Sequence, residues 1–229
     1  MLSKGQWQTW LVQSQLDNHS LATLTEGTGH PYKTISTALR KDRLDEFFVL
    51  AVARKYDIDV LETAGQLPVF AGVPVDTPLK HEDLLLALDH RRLVDFLPDR
   101  FLTTSGTGPL VKPQKELLRR IWEHYALNRQ IKALTTRSRL SRDSLYRQFR
   151  KEVSPSLAAA VCTACSVNIR LFLLARGFLT LPEATYPTDP ETLLLSLNPR
   201  SIVAELEESA SMFYERFAPN FDPEEDAGL

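Results

Sequence analysis

The sequence predicts an all-α protein, and three observations lead to that prediction. Apolar residues recur at helical spacing along almost the whole chain. No segment shows four or more strict apolar–polar alternations, the pattern of a half-buried strand. The 229 residues are 43% hydrophobic and 24% charged, which is typical of a globular protein and leaves room for one large domain or two small ones. Disorder over the whole chain is therefore excluded.

Five helices are predicted in residues 1–67. The first covers about residues 4–16 and places two tryptophans on its inner side. Ser20 offers N-cap chemistry to a short second helix, and Pro31 suits the first turn of a third, because a proline there sacrifices no hydrogen bond. The third, fourth and fifth helices are predicted at about residues 31–40, 44–56 and 60–66.

Residues 68–80 are predicted to be a linker between this N-terminal domain and a larger helical domain at residues 81–221. Proline and glycine interrupt any regular element in the linker at Pro68, Gly72, Pro74 and Pro78. In the second domain we predict a connecting helix at 81–97, an exposed break at 103–113, and helices at 115–126, 128–136, 142–151, 155–176 and 199–217. The tail, residues 222–229, has nothing to bury and is predicted to be disordered.

Charge is sorted along the chain. Residues 112–151 contain twelve Lys and Arg against three Asp and Glu, whereas residues 152–229 contain four against twelve. A basic segment of this density attracts polyanions, because neutralised phosphates release condensed counterions. The alternative is a basic helix that docks on the acidic C-terminal helices and cancels the field internally, and charge counting leaves that alternative open.

A helix-turn-helix pattern is present near the N-terminus. Such a unit needs a helix with an apolar inner face, a tight turn, and a second helix whose outer face offers polar side chains to base edges. Leu24, Thr28-Gly29 and Thr34-Ile35-Ser36 stand where lambda-repressor-like (Cro/CI, XRE) proteins carry the leucine of helix 2, the turn and the core of the recognition helix. The sequence resembles that family over residues 6–67.

This resemblance implies a set of DNA-contacting residues. The exposed face of the recognition helix would consist of Tyr32, Lys33, Ser36, Thr37 and Arg40, with Lys41 and Arg43 beyond it as phosphate contacts. The alternative interpretation is an ordinary five-helix bundle that binds protein.

A second helix-turn-helix pattern occupies about residues 128–151. Its sequence from residue 131 to 149 is IKALTTRSRLSRDSLYRQF, with Ser141 as N-cap of the second helix. It resembles the TetR-type or homeodomain-like helix-turn-helix, with Arg139 where the turn commonly has glycine. The DNA-binding candidates here are Arg139, Arg142, Ser144, Tyr146, Arg147, Gln148 and Arg150.

No enzymatic chemistry is predicted. The five His are scattered without ligand spacing, no Walker, GxGxxG or GxSxG motif is present, and neither a metal nor a cofactor is expected. Cys162 and Cys165 lie in an apolar helix and are interpreted as small core residues. The apolar stretch 157–175 contains Asn168 and Arg170, so no membrane span is predicted.

These patterns lead us to expect a cytoplasmic transcriptional regulator, a repressor of bacterial or phage type, whose partner is double-stranded DNA. Two geometries stay open. Either the N-terminal module alone binds DNA and the C-terminal helices form a homodimer on a palindromic site, or both modules of one chain bind an asymmetric site. A small effector bound near the helix at 155–176 is a further hypothesis. A protein-interaction or antitoxin-like role without specific DNA readout is the alternative function.

Overall fold

The computed structural model describes residues 1–89, 111–112, 114–188, 192–193, 196 and 200–207. Within these residues the backbone is mostly helical, and extended pairing is limited to two isolated bridges, Leu2 with Leu44 and Leu88 with Val111. The prediction of a mostly helical protein is confirmed for this part of the chain.

Twelve α-helices have defined bounds in the described part. They are α1 Lys4–Gln13, α2 Leu21–Thr25, α3 Tyr32–Arg40, α4 Glu46–Lys55, α5 Val60–Gln66, α6 His81–Ala87, α7 Gln114–His124, α8 Ile131–Ser138, α9 Arg142–Lys151, α10 Pro155–Cys165, α11 Ile169–Ala175 and α12 Leu181–Thr185. Two short 3-10 helices are η1 Pro68–Phe70 and η2 Leu127–Gln130, and residues 200–207 are also helical.

Polar caps and left-handed residues set the helix bounds in the N-terminal part. Ser3 and Gln6 form a capping box at the start of α1, and Ser20 and Asp45 cap α2 and α4 with side-chain oxygens. The first helix ends three residues earlier than predicted, because Gln15 adopts a positive φ of 58° that cannot continue a helix.

The N-terminal helices and the C-terminal part share one apolar core. The rings of Trp7 and Trp10 stack at 5.3 Å, and Trp7 lies 5.5 Å from Phe48. Phe47, on the same helix as Phe48, contacts Phe178 at 5.4 Å. Buried side chains from Leu2 to residue 202 therefore belong to one connected cluster.

The segment predicted as a linker is irregular, as its prolines indicate, but much of it is buried. Phe70, Val73, Val75 and Leu79 are each at most 8% exposed, and η1 packs against α10. The prolines and glycine interrupt regular structure, while the apolar residues between them still bury area against the neighbouring helices. The backbone bond from Leu79 N–H to the Ala184 carbonyl fixes the end of the segment.

The prediction of a single helix at residues 155–176 is wrong, because the chain forms two helices there. Ser166 ends α10 in the left-handed region with φ of 55°. Asn168 then caps α11 by accepting the N–H of Arg170. Continuous apolar composition hid the break, since both helices are buried on most sides.

Arg170 lies inside the protein and ties together three segments. Its side chain is nearly inaccessible, at 3% exposed. The guanidinium donates to the carbonyls of Val75 and Asp76 on one side and of Ala184 and Tyr186 on the other, at 3.0–3.1 Å. Burial lowers the pKa of Arg170, and the four carbonyls compensate for the lost hydration.

A second buried ionic cluster joins α7 to residues 200–207. Lys112 and Arg120 both contact Glu205, at 3.2 and 2.6 Å. All three residues are buried. Burial lowers the pKa of Lys112, against the opposing effect of the Glu205 carboxylate. Part of the basic segment is therefore neutralised by the acidic C-terminal part, as the internal-pairing alternative requires.

Other predicted elements are shorter than predicted or lie outside the described residues. The connecting helix predicted at 81–97 ends at Ala87, where Leu88 turns extended and pairs with Val111. Residues 90–110, 113, 208–217 and the tail 222–229 are outside the described part. No described helix combines the length and apolar character that crossing a bilayer requires.

Candidate nucleic-acid interface

Helices α8 and α9 are joined by a short turn and are called the α8–turn–α9 unit. Arg139 follows α8 in the left-handed conformation, with φ of 56° and ψ of 28°, at the position where the sequence pattern predicts a turn glycine. Ser141 then caps α9, its Oγ accepting the N–H of Ser144 at 3.2 Å. On the inner side, Leu134 and Leu145 are fully buried. The turn is therefore short and fixed at both ends.

Two further helices support this unit. Helix α7 packs against α9, where Trp122 lies 4.8 Å from the ring of Phe149 and 5.1 Å from that of Tyr146. Helix α8 packs against α10 on the other side. Because α9 is held from inside by α7 and α8, its outer face is presented on a rigid base.

The outer face of α9 carries arginines. Arg142, Arg147 and Arg150 are exposed. Arg142 lies over the ring of Tyr146 at 5.6 Å and donates to its hydroxyl at 3.4 Å, while Arg147 donates to Ser144 Oγ at 3.2 Å. These neutral partners orient the guanidinium groups, and neither arginine forms an ion pair with another described residue.

Most of the cations in residues 112–151 face solvent. Lys112, Arg119 and Arg120 have acidic partners. The others are exposed and form no ion pair within the described part of the chain: Lys115, Arg129, Lys132, Arg137, Arg139, Arg142, Arg147, Arg150 and Lys151. Among the residues that the structure describes, internal pairing thus neutralises few of them, and α8 and α9 carry a basic surface there.

Gln148 has a structural position that the sequence pattern did not indicate. Its Oε1 accepts the N–H of Ser154 at 2.9 Å, which holds the loop between α9 and α10. The side chain is half-buried. Its carboxamide oxygen is therefore engaged in a hydrogen bond within the protein.

The N-terminal pattern also forms two helices joined by a turn. Leu24 in α2 and Ile35 in α3 are buried against the core at 1% and 2% exposure. The turn between them has positive φ at Gly27 and Gly29, 72° and 74°, which suits glycine. Helix α2 has only five residues, so this unit is less regular than the one formed by α8 and α9.

Helix α3 exposes part of its predicted binding face. Tyr32 is 53% exposed, and Lys33 and Arg40 are exposed. Ser36 and Thr37 are half-buried, and Arg40 donates to Thr37 Oγ1 at 3.4 Å. Lys41 and Arg43, which follow the helix, are both exposed.

Sequence reasoning missed a groove beside α9. It lies between α7 and α9, has a volume of about 590 Å³, and is lined by Lys115, Glu116, Arg119, Trp122, Tyr146, Phe149 and Arg150. The spacing of residues 115, 119 and 122 indicates one face of a helix, but only the packing of α7 on α9 brings that face beside Tyr146 and Arg150.

The two cysteines do not form a disulfide. Cys162 is buried, and burial raises the pKa of both the Cys162 and Cys165 thiols, so both stay protonated near neutral pH. Among the described residues, no group of three or more His, Cys, Asp and Glu is arranged to hold a metal ion.

Replacing Arg139 by glycine is expected to raise the free energy of unfolding by about 0.5 kcal/mol, because glycine adopts the left-handed conformation without steric cost. Urea denaturation monitored by circular dichroism measures the change. The matched control Arg139→Ala removes the same side chain but keeps a Cβ. A glycine variant less stable than the alanine variant would contradict the left-handed turn.

Comparison with protein-family models, with curated proteins and with solved structures found no match to this chain.

Proposed function

We propose that this protein binds double-stranded DNA and regulates transcription. The observation that carries the proposal is the α8–turn–α9 unit, whose second helix is supported from inside and presents uncompensated arginines outward. A helix of this kind fits the major groove, which admits one α-helix and displays a distinct donor and acceptor pattern for each base pair.

The arginines of α9 and of the turn before it differ in the DNA atoms that they can contact. Arg142 and Arg147 are exposed, and each guanidinium can donate in pairs to guanine O6 and N7. Arg139 in the turn and Arg150 at the end of the helix suit phosphates on either side of the groove. Phosphate contacts set the position of the helix, and base contacts give sequence preference.

The N-terminal unit is proposed as a second DNA-contacting module of the Cro/CI type. Lys33 and Arg40 on α3, with Lys41 and Arg43 after it, form a smaller exposed basic surface. Occupancy of a promoter by one or both modules would repress transcription in the cytoplasm. Whether the functional unit is one chain or a homodimer sets the symmetry of the site, so the length and symmetry of a footprint distinguish these geometries.

The experiment that tests the proposal is a titration of the full chain with DNA fragments from upstream of its own coding region, in competition with scrambled DNA. We expect the chain to prefer the upstream DNA to the scrambled DNA. The logarithm of the association constant should fall linearly with the logarithm of salt concentration, with a slope of about −0.9 per neutralised phosphate. Binding to neither DNA at low salt would refute the proposal. An apolar interface with a protein partner, the alternative function, would respond little to salt.

The N-terminal module makes a separate prediction. The double variant Lys33→Ala, Arg40→Ala is expected to weaken operator binding by about tenfold, because two exposed cations leave the phosphates and base edges that they contact. Fluorescence anisotropy with a labelled operator measures the change. The control pair Lys4→Ala, Lys80→Ala removes two exposed cations outside both units and should leave the affinity nearly unchanged. Equal affinity in all three proteins would remove α3 from the interface.

A further inference from the structure

The groove between α7 and α9, called here the α7–α9 groove, combines cations with aromatic rings. Lys115, Arg119 and Arg150 contribute three cations against the single carboxylate of Glu116, and Trp122, Tyr146 and Phe149 contribute the rings. Trp122 is half-buried and contacts both other rings. Lys115 and Arg150 are exposed, whereas Arg119 has a weak contact of 3.8 Å with Glu123.

This combination selects a class of ligand. Guanidinium and ammonium groups bind carboxylates by charge-assisted hydrogen bonds, and aromatic faces bind other rings by offset or edge contacts. The ligand that satisfies both is a peptide with acidic and aromatic residues interleaved. A purely acidic ligand would leave the rings uncovered, and a purely aromatic one would leave the cations unpaired.

The chain carries such a segment at its C-terminal end. Residues 208–229 contain six acidic residues and one basic residue. They also contain four aromatic residues, namely Phe213, Tyr214, Phe217 and Phe221. The sequence is thus complementary to the groove in charge and in ring content.

The last described residues before this segment lie beside α7. Glu205 binds Arg120 of α7 at 2.6 Å, and the described chain ends two residues later at Glu207. Arg120 is the neighbour in sequence of Arg119, and Glu123 contacts both arginines. A segment of this length spans up to about 70 Å when extended, so it reaches any part of the groove.

We propose that the α7–α9 groove binds the chain's own acidic C-terminal segment, residues 208–229. The bound segment covers Tyr146 and Arg150, which line the groove and also belong to α9. It therefore competes with DNA for the basic face of that helix. This consequence rests on the proposed function, whereas binding of the segment to the groove does not.

The test uses a fluorescein-labelled peptide with the sequence of residues 208–229 and two full-length chains. One chain is wild type. The other, the tail-neutral variant, carries Glu208→Gln, Glu215→Gln, Asp222→Asn, Glu224→Gln, Glu225→Gln and Asp226→Asn. The tail-neutral variant is expected to bind the peptide at least about tenfold more tightly than wild type, because a tethered segment competes at a millimolar effective concentration.

Two outcomes of this titration overturn the proposal. If the tail-neutral variant does not bind the peptide at low salt, the groove does not recognise the segment. If both chains bind it equally tightly, the surface accepts acidic peptides from another molecule, and the assignment to the chain's own segment is wrong.

A second comparison locates the binding site. In the tail-neutral background, Arg119→Ala with Arg150→Ala should weaken peptide binding several-fold. The matched pair Arg129→Ala with Lys132→Ala removes two exposed cations outside the groove and should not. An equal loss of peptide affinity in both pairs would mean general charge attraction and would refute the groove as the binding site. Circular dichroism of all variants checks that the fold is kept.

DNA titration of the same two chains separates this inference from the proposed function. Tighter DNA binding by the tail-neutral variant supports both. If the groove captures the peptide but neither chain binds DNA, the proposed function fails and the assignment of the groove stands. If DNA is bound equally by both chains although the peptide is captured, competition with DNA is refuted.

Discussion

Arg170→Leu is expected to lower the free energy of unfolding by about 3 kcal/mol, because the carbonyls that the guanidinium satisfies lose their donor inside the protein. Val75 and Ala184, two of the residues whose carbonyls accept from the guanidinium, are buried. Leucine fills part of the space but donates no hydrogen bond. The segment before α6 and the end of α12 would then lose the guanidinium that they share and keep the backbone bond from Leu79 N–H to the Ala184 carbonyl.

Urea denaturation of the full chain, monitored by circular dichroism, measures this loss. The free energy of unfolding of Arg170→Lys should lie between those of the wild type and the leucine variant. An ammonium group has three donors but not the planar fork that reaches both segments. Arg129→Leu is the matched control, because it makes the same chemical change at an exposed arginine and should alter stability by less than about 0.5 kcal/mol. A leucine variant as stable as this control would contradict the role of Arg170.

Elements with clear local signals were predicted well. Helices α5 and α9 have the bounds that the sequence predicted, residues 60–66 and 142–151. Both begin after a polar cap, Asp59 and Ser141, and both show an apolar face at helical spacing. Local capping and periodicity were sufficient because each of these helices buries only one side.

Features that depend on distant contacts were not predictable from one sequence. Arg170 was interpreted only as an obstacle to a membrane span, because its carbonyl partners lie more than ninety residues earlier as well as shortly after it. The break between α10 and α11 was hidden because uniformly apolar sequence has no helical period to interrupt. Charge counts likewise indicate that acidic residues near the C-terminus can pair with the basic segment. They do not indicate that Glu205 is the partner of Lys112 and Arg120.

The candidate interface shows the same division. The turn of the second unit was predicted in place, and Arg139 has the left-handed backbone that the pattern requires. The hydrogen bond between Gln148 and Ser154 is not predicted by the sequence, because a single hydrogen bond to a following loop has no sequence signal. The α7–α9 groove required knowledge of which face of α7 meets α9.

The double variant Arg142→Ala, Arg147→Ala is expected to weaken operator binding by about 100-fold near 0.1 M salt, because each arginine contributes about 1–1.5 kcal/mol through base or phosphate contacts. The slope of affinity against salt, on logarithmic scales, should also fall, by about 0.9 for each of the two arginines that neutralises a phosphate. The fold should be unaffected, because both side chains are exposed and bond only to Tyr146 and Ser144 on the same helix. Anisotropy titrations at several salt concentrations measure both quantities.

Comparison with the Lys33→Ala, Arg40→Ala variant shows which of the two units contacts the operator. If α9 alone reads the operator, only the Arg142 and Arg147 variant loses affinity, and the footprint is set by the α8–turn–α9 unit. If both units bind, each variant loses affinity and the losses add in free energy, because the sites contact different base pairs. A slope and an affinity that both stay at wild-type values in the Arg142 and Arg147 variant would remove α9 from the interface. Its arginines would then need a different anionic partner.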